Sequence, residues 1–148
     1  MPDLAVNKKA LFDYDILDKY QAGLVLTGQE VKSARAGQFS LKSTFVTFMN
    51  GSPYLTNANI AKYKQAGPLP EYDPTHSRRL LLRKKEIRRL LEQSQEKGLT
   101  IVPLRVYTNN RFIKLEIALA RGKRQYDKKE KLKQRDLDRE IKRATKEM

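Results

Sequence analysis

The sequence of this 148-residue chain predicts a mainly β domain with added α-helices, arranged as a small closed antiparallel barrel and followed by a basic C-terminal tail. Three observations lead to this prediction. Apolar and polar residues alternate in several short segments, which is typical of half-buried strands. Turn-forming residues separate these segments. Every Phe, every Pro and six of the seven Tyr lie within the first 120 residues, so the globular composition ends there. A β-sandwich is the alternative arrangement of the same strands.

Two β-hairpins are predicted from paired strand patterns. In the first, residues 45–49 and 54–56 flank Asn50-Gly51, a pair that readily takes the positive φ angles of a tight turn. In the second, residues 100–107 and 112–119 flank the turn-forming residues 108–110. The last strand should be half-buried, with alternating apolar residues on its inner face: Ile113, Leu115, Ile117 and Leu119.

Further strands are predicted at residues 12–16 and 23–26, for about six strands in all. Two helices should interrupt them, one near residues 29–36 and a longer one near 84–96 that ends at Gly98. These elements make one folded domain, residues 1–121.

Residues 122–148 form the predicted tail, disordered when free. Residues 121–148 carry 12 basic and 6 acidic side chains with few apolar ones, so the segment is not expected to fold alone. A helix would align apolar residues into one stripe that needs a partner surface: Leu137, Ile141, Ala144 and Met148. A purely solubilising tail is the alternative.

The charge balance indicates a polyanionic partner. Lys and Arg number 31 against 17 Asp and Glu, a net charge of +14. The densest basic stretch, residues 78–89, has phosphates as its natural counterions. With no Cys and a single His, we expect no disulfide, no zinc site and no other metal or cofactor. The first seven residues offer no membrane anchor, so we expect a cytoplasmic protein without a membrane partner.

Binding is favoured over catalysis. No nucleophile elbow, phosphate loop or paired-histidine motif occurs, and no small-molecule substrate is expected. Glu30 with Asp13 and Asp15 could form a magnesium-binding carboxylate cluster of an RNA-processing enzyme, but helix capping and ion pairing are the more common roles of such a Glu. His76 lies in a loop-like segment and is given no role.

Short segments along nearly the whole chain resemble the SsrA-binding protein (SmpB) family. No single segment is specific, but their order is. They are Asn7-Lys8-Lys9-Ala10, Ala22-Gly23-Leu24, Gly28-Gln29-Glu30-Val31-Lys32-Ser33, Arg35-Ala36-Gly37, Asn59-Ile60, Arg78-Arg79-Leu80-Leu81-Leu82, Lys85-Glu86-Ile87, residues 98–104, Ala118-Leu119-Ala120-Arg121-Gly122-Lys123 and Tyr126-Asp127-Lys128-Lys129.

The resemblance implies a bacterial trans-translation factor with an oligonucleotide-binding (OB) fold. Such a protein binds transfer-messenger RNA, also called SsrA RNA, and brings it to stalled ribosomes. The folded core would grip the elbow of the tRNA-like part, and the tail would enter the empty mRNA channel beside the decoding centre of the small subunit. A generic ribosomal or single-strand-binding barrel with a basic extension is the alternative.

The resemblance and the basic stretch together predict the site residues. The RNA-binding residues of the core would be Asn7, Lys8, Gln21, Lys32, Ser33, Arg35, Leu81, Arg83 and Lys84, with Leu81 supporting the surface. The ribosome-binding residues of the tail would be Gly122, Lys123, Arg124, Tyr126, Asp127, Lys128, Lys129, Arg135, Arg139 and Ile141. Three residues depart from the family pattern: Gln21 replaces an acidic residue, Ala34 a Leu and Lys129 an Arg.

Overall fold

The computed structural model describes residues 3–122, which form nine strands, three α-helices and one 3-10 helix. Their bounds are β1 Asp3–Val6, α1 Lys8–Asp13, β2 Tyr14–Leu24, α2 Gly28–Arg35, β3 Phe39–Ser40, β4 Phe45–Met49, β5 Ser52–Thr56, β6 Asn59–Ile60, the 3-10 helix Lys64–Ala66, β7 Arg78–Leu81, α3 Lys84–Ser94, β8 Leu99–Asn109 and β9 Phe112–Gly122. The predicted division at residue 121 stays a prediction, since the tail beyond Gly122 lies outside the described residues.

Seven strands form one antiparallel sheet in the order β1-β8-β9-β2-β7-β5-β4, and β3 pairs with β6 separately. The mainly β prediction with added helices is confirmed, and both hairpins form as predicted. In the first hairpin Asn50 and Gly51 have φ angles of +53° and +79°, which is the geometry their types favour. The helices α2 and α3 also lie where the sequence places them. None of the helices in residues 3–122 is long and apolar enough to span a membrane.

The prediction of a closed barrel is wrong. No ladder within the described segment joins the end strands β1 and β4, although Cα atoms of β4 come within 8 Å of β8. The edge of β8 is interrupted there because Pro103 has no N–H to donate. Moreover, the carbonyl oxygens of Pro103 and Leu104 accept hydrogen bonds from the Asn7 side chain at 2.9 Å and the Asn7 backbone at 2.8 Å. Asn7 therefore uses acceptors that a closing strand would need.

Helix α1 was not predicted, and Phe12 lies in this helix rather than in a strand. The Asn7 Oδ1 caps the helix by accepting from the Ala10 N–H at 3.2 Å. Ala10 packs against Val102, Leu104 and Ala118 on the side of the sheet away from the main core. Residues 116–120 of β9 are consequently buried on both faces, so β9 is not the half-buried strand predicted.

The carboxylate of Glu30 joins α2 to β7 and to the loop between β6 and β7. It is fully buried, and one oxygen accepts from the Thr27 N–H at 3.0 Å, completing a capping box at the start of α2. The other oxygen accepts from Arg78 Nε and Nη2 at 3.0 and 2.7 Å. It also lies 3.2 Å from the Tyr72 hydroxyl and 3.0 Å from His76 Nε2.

This environment keeps Glu30 ionised. Burial alone would raise the pKa of the carboxyl, but the hydrogen bonds from Thr27 and Arg78 outweigh burial and lower the pKa below its ordinary value. The capping and pairing role expected for Glu30 is therefore confirmed. Arg78 is buried as well, so its counterion is Glu30, and the prediction that it faces phosphates with the rest of the basic stretch is wrong.

We expect Glu30→Ala to lower the free energy of unfolding by about 3–5 kcal/mol, because the substitution leaves the buried Arg78 guanidinium without its counterion. Glu86→Ala is the matched control, since Glu86 caps α3 in the same way by accepting from the Arg83 N–H but has no buried cation beside it. Its cost should be about 1 kcal/mol. Urea denaturation of both variants measures the difference, and equal losses would show that Glu30 acts only as a helix cap.

Candidate RNA-binding interface

The face of β7, β2, β9 and β8 that points away from the main core carries two rows of paired residues. We call it the outer sheet face. The first row consists of Leu81, Gly23, Lys114 and Tyr107, and the second of Gln21, Glu116 and Arg105. Alternation along each strand puts these side chains on one face, and the ladder register sets them side by side.

Leu81 and Phe112 form an exposed apolar pair beside the first row. Leu81 is 54% exposed and Phe112 is 68% exposed, and with Arg111 and Lys114 they line one surface cleft. Gly23 leaves room at the centre of the row, since a Cβ there would lie 3.2 Å from the Leu81 Cβ. The cleft thus combines flat apolar surface with two cations, which suits an unstacked base and its phosphate.

Glu116 of the second row and Tyr107 of the first row hold the Gln21 amide in one orientation. Gln21 Nε2 donates to Glu116 Oε2 at 3.0 Å, and Gln21 Oε1 accepts from the Tyr107 hydroxyl. Burial raises the pKa of Tyr107, which keeps this hydroxyl protonated as a donor. The exposed Gln21 therefore has its oxygen engaged and one N–H free to donate to a ligand.

Glu116 explains in physical terms why an amide suits position 21. The Glu116 side chain is 11% exposed, and its carboxylate lies 3.5 Å from Arg105 Nη2 and 3.9 Å from Lys19 Nζ. Arg105 in turn bonds Asp3 at 2.7 Å and lies over the Tyr107 ring, 4.4 Å from its centroid. A second carboxylate at position 21 would face Glu116 across the ladder at hydrogen-bond distance, and like charges repel there.

Four other predicted RNA-binding residues of the core lie on α1 and α2 or at a helix cap, not on the four strands of this face. Arg35 donates to the Arg111 carbonyl at 3.0 Å, at the turn next to Phe112. Asn7 and the exposed Lys8 begin α1, which covers the neighbouring apolar part of the same face. Lys32 is exposed, with its Nζ 6.0 Å from the centroid of the Tyr63 ring.

Three predicted residues lie away from the outer sheet face. Ser33 is fully buried and donates to the Ala61 carbonyl at 2.5 Å, so a direct RNA contact through its side chain does not fit the structure. Arg83 and Lys84 begin α3, which packs on the other side of β8 and β9.

Among the predicted ribosome-binding residues of the tail, Gly122 ends β9 opposite Tyr14. The remaining tail residues lie outside the described segment: Lys123, Arg124, Tyr126, Asp127, Lys128, Lys129, Arg135, Arg139 and Ile141.

Sequence reasoning missed Lys114, Phe112 and Glu116 as members of this face. Their alternation along β9 was visible, but their position beside Gln21 and Leu81 depends on the register of three strands.

The carboxylate cluster of the enzyme hypothesis does not form, because Glu30 is enclosed by Arg78 and Tyr72. Within residues 3–122 no group of three His, Asp or Glu side chains is placed to hold a metal ion.

The fold and the outer sheet face define a class: small basic β domains whose sheet face combines cations, an exposed aromatic ring and a fixed amide, as in RNA-binding modules. The family model described as "SmpB protein" matches residues 4–147 of the chain. The chain therefore belongs to the SmpB family.

Relatives and a solved structure agree with this assignment. An "SsrA-binding protein" of Sulfurihydrogenibium sp. is 54% identical over 143 residues, covering 97% of this chain and 93% of that protein. One from Rubrobacter xylanophilus is 50% identical over 147 residues, covering 99% and 97%. A chain from a structure described as "tmRNA-SmpB: a journey to the center of the bacterial ribosome" is 46% identical, with a TM-score of 0.67 over 84% of this chain and 91% of that chain.

Gln21→Glu should lower the free energy of unfolding by roughly 1 kcal/mol, because it opposes two carboxylates on neighbouring strands. The double variant Gln21→Glu, Glu116→Gln exchanges the two groups and restores one amide facing one carboxylate. Thermal denaturation at neutral pH should show most of the lost stability regained in the double variant. If the loss of stability in the double variant equals the sum of the losses in the two single variants, the two side chains are not directly coupled.

Proposed function

We propose that this chain binds the tRNA-like part of transfer-messenger RNA and delivers that RNA to stalled ribosomes in trans-translation. The observation that carries the proposal is membership of the SmpB family over nearly the full chain, with relatives named as SsrA-binding proteins. The outer sheet face supplies a chemically suitable surface for the folded RNA. The protein acts as an adaptor rather than an enzyme and works in the cytoplasm.

The folded domain binds the elbow of the tRNA-like RNA through the outer sheet face and through the neighbouring residues of α1 and α2. Leu81 and Phe112 give flat apolar surface to an unstacked base, and Gln21 donates its free N–H to a base edge or a 2′-hydroxyl. Lys114, Arg35 and Lys8 neutralise neighbouring phosphates. Lys32 extends this border along α2. Ser33 acts indirectly by fastening α2 to the loop at Ala61.

The tail, residues 122–148, makes a separate contact with the ribosome. Lys123, Arg124, Lys128 and Lys129 bind phosphates, Tyr126 stacks, and Asp127 anchors the entry of the tail. Arg135, Arg139 and Ile141 belong to a helix that forms in the empty mRNA channel. Stacking and phosphate contacts suit this task because they do not depend on RNA sequence. Lys129 presents a single ammonium rather than the planar fork of an Arg, so its contact is monodentate.

A competition experiment tests RNA selectivity and the outer sheet face together. The protein should prefer transfer-messenger RNA over bulk tRNA and over an unstructured RNA of the same length at near-physiological salt. Leu81→Glu should weaken binding to transfer-messenger RNA about tenfold or more, because it brings a carboxylate to the RNA surface. Leu17→Glu is the matched control, since Leu17 is 51% exposed on β2 and lies outside the cleft.

Two results of the competition experiment would contradict the proposal. Equal binding of all three RNAs would indicate a generic basic domain that recognises phosphates alone. Equal losses in the two Leu variants would place the RNA elsewhere on the domain. A salt titration accompanies both measurements, and affinity should fall by roughly 0.7 to 0.9 log units per log unit of salt for each neutralised phosphate.

Deletion of residues 123–148 should leave the affinity for transfer-messenger RNA within about threefold of the full chain, because the outer sheet face is unchanged and only distant phosphate contacts are lost. The same deletion should abolish tagging of nascent chains on ribosomes stalled at the end of an mRNA. Filter binding and a reconstituted tagging reaction measure the two activities. Parallel loss of both would contradict the division of labour between domain and tail.

A further inference from the structure

The aromatic ring of Phe112 stands at the start of β9, at the edge of the cleft on the outer sheet face. It is the most exposed large apolar side chain in residues 3–122, so neighbouring side chains cover little of its surface. Its partner across the ladder is Asn109, and the two-residue turn 110–111 joins the two strands. The position of the ring therefore depends on how firmly this turn is held.

The turn is held from outside the hairpin by one side chain. Asn110 has a φ angle of +55°, a left-handed conformation that residues other than Gly adopt only at some cost. Among residues 3–122, the one side-chain hydrogen bond that reaches residues 109–111 comes from Arg35, whose Nη2 donates to the Arg111 carbonyl at 3.0 Å. The two residues are 76 positions apart, so this contact exists only in the folded domain.

Arg35 extends from a firmly packed part of the fold. It is the last residue of α2, and the preceding residue, Ala34, is fully buried in the main core. Ser33 is buried as well and donates to the Ala61 carbonyl. At the other end of the helix, the buried Glu30 carboxylate joins α2 to β7. The end of α2 is thus a fixed support from which the guanidinium reaches the turn.

The hydrogen bond connects two elements that line the cleft. Val31 of α2 lines it together with Phe112 and Lys114 of β9, and the cleft has a volume of about 410 Å³. This volume is within the roughly 300–1,000 Å³ that ordinary ligand sites enclose. Val31 and Arg35 are four residues apart and so lie on the same side of α2. Arg35 therefore crosses from α2 to the hairpin beside the cleft, and its hydrogen bond limits how far the two elements can separate.

The guanidinium of Arg35 has donors left after this contact. An Arg carries five N–H donors in a planar fork, whereas a Lys offers a single ammonium without that fixed geometry. No carboxylate in residues 3–122 forms an ion pair with Arg35. One edge of the group can therefore hold the Arg111 carbonyl while another meets a phosphate.

We infer that Arg35 is a positioning residue for Phe112. Its hydrogen bond holds the β8–β9 turn against the end of α2, so the ring is placed at the cleft before RNA arrives. A ring that is already ordered stacks on a base without the cost of ordering it during binding. The inference rests on the function proposed for the chain, and it adds this role to the phosphate contact of Arg35.

The first measurement needs no RNA. The chain contains no Trp, so the substitution Phe112→Trp introduces a single indole whose fluorescence anisotropy reports how firmly the ring is held. Adding Arg35→Ala should lower this anisotropy, because the turn loses its hydrogen bond. Adding Lys32→Ala should leave it unchanged. Lys32 is the matched control, since it is an exposed cation of the same helix whose ring contact is with Tyr63 and not with the hairpin.

The second measurement is a double-mutant cycle on binding of the labelled tRNA-like part of transfer-messenger RNA. Phe112→Ala should weaken binding about tenfold, as expected for the loss of one stacked ring. Arg35→Ala should weaken it about tenfold in the wild-type background but only about threefold once Phe112→Ala is present, because the effect that acts through the ring is then absent. Lys32→Ala should weaken binding by the same factor in both backgrounds. Ala favours helix, so α2 should stay folded in these variants, and circular dichroism checks this.

Two outcomes would overturn the inference. In the first, Arg35→Ala and Phe112→Ala weaken binding by independent factors, which is what a phosphate contact alone produces. In the second, Arg35→Ala leaves the indole anisotropy equal to that of the Lys32→Ala control. Failure of the proposed function gives a different result: the chain would show no preference for transfer-messenger RNA over bulk tRNA, while the anisotropy difference would still support the hold of Arg35 on the ring.

Discussion

The buried ion pair between Glu30 and Arg78 is the interaction on which both sides of the proposed site depend. Burying one of these charges alone would be very unfavourable, so the pair must form in the folded state. Forming it fixes the start of α2 against the start of β7, 48 residues later. β7 then carries Leu81 onto the outer sheet face, and α2 carries Arg35 to the turn beside Phe112. One carboxylate thus positions an apolar contact and a cation that belong to different elements.

The hairpins and two of the helices could be predicted because each is specified by residues close together in the sequence. The open sheet and helix α1 were missed because they depend on contacts between residues far apart in the sequence. Asn50-Gly51 specifies its turn through its own φ angles, so no distant residue is needed. The open sheet could not be predicted in this way, because it depends on Asn7 reaching the carbonyl of Pro103, 96 residues away. Helix α1 was missed for the same reason. A six-residue helix has little stability of its own and forms here against a cluster contributed by β8 and β9.

The candidate site shows the same limit at the level of single residues. Gln21 and Leu81 were predicted from the family resemblance, and the structure places both on one face. Arg78 and Arg79 look equivalent in the sequence, yet alternation along β7 buries the first and exposes the second. Whether a buried Arg is tolerated depends on a partner that only the fold supplies. Lys114 and Phe112 were missed because a strand pattern assigns a face but not the neighbours on that face.

Charge alone cannot make this protein selective, since a chain of net charge +14 attracts every RNA in the cell. Selectivity requires groups that are fixed in position. Such groups form hydrogen bonds or stacking contacts with only some RNAs. The outer sheet face has such groups, because Tyr107 and Glu116 orient the Gln21 amide from both ends.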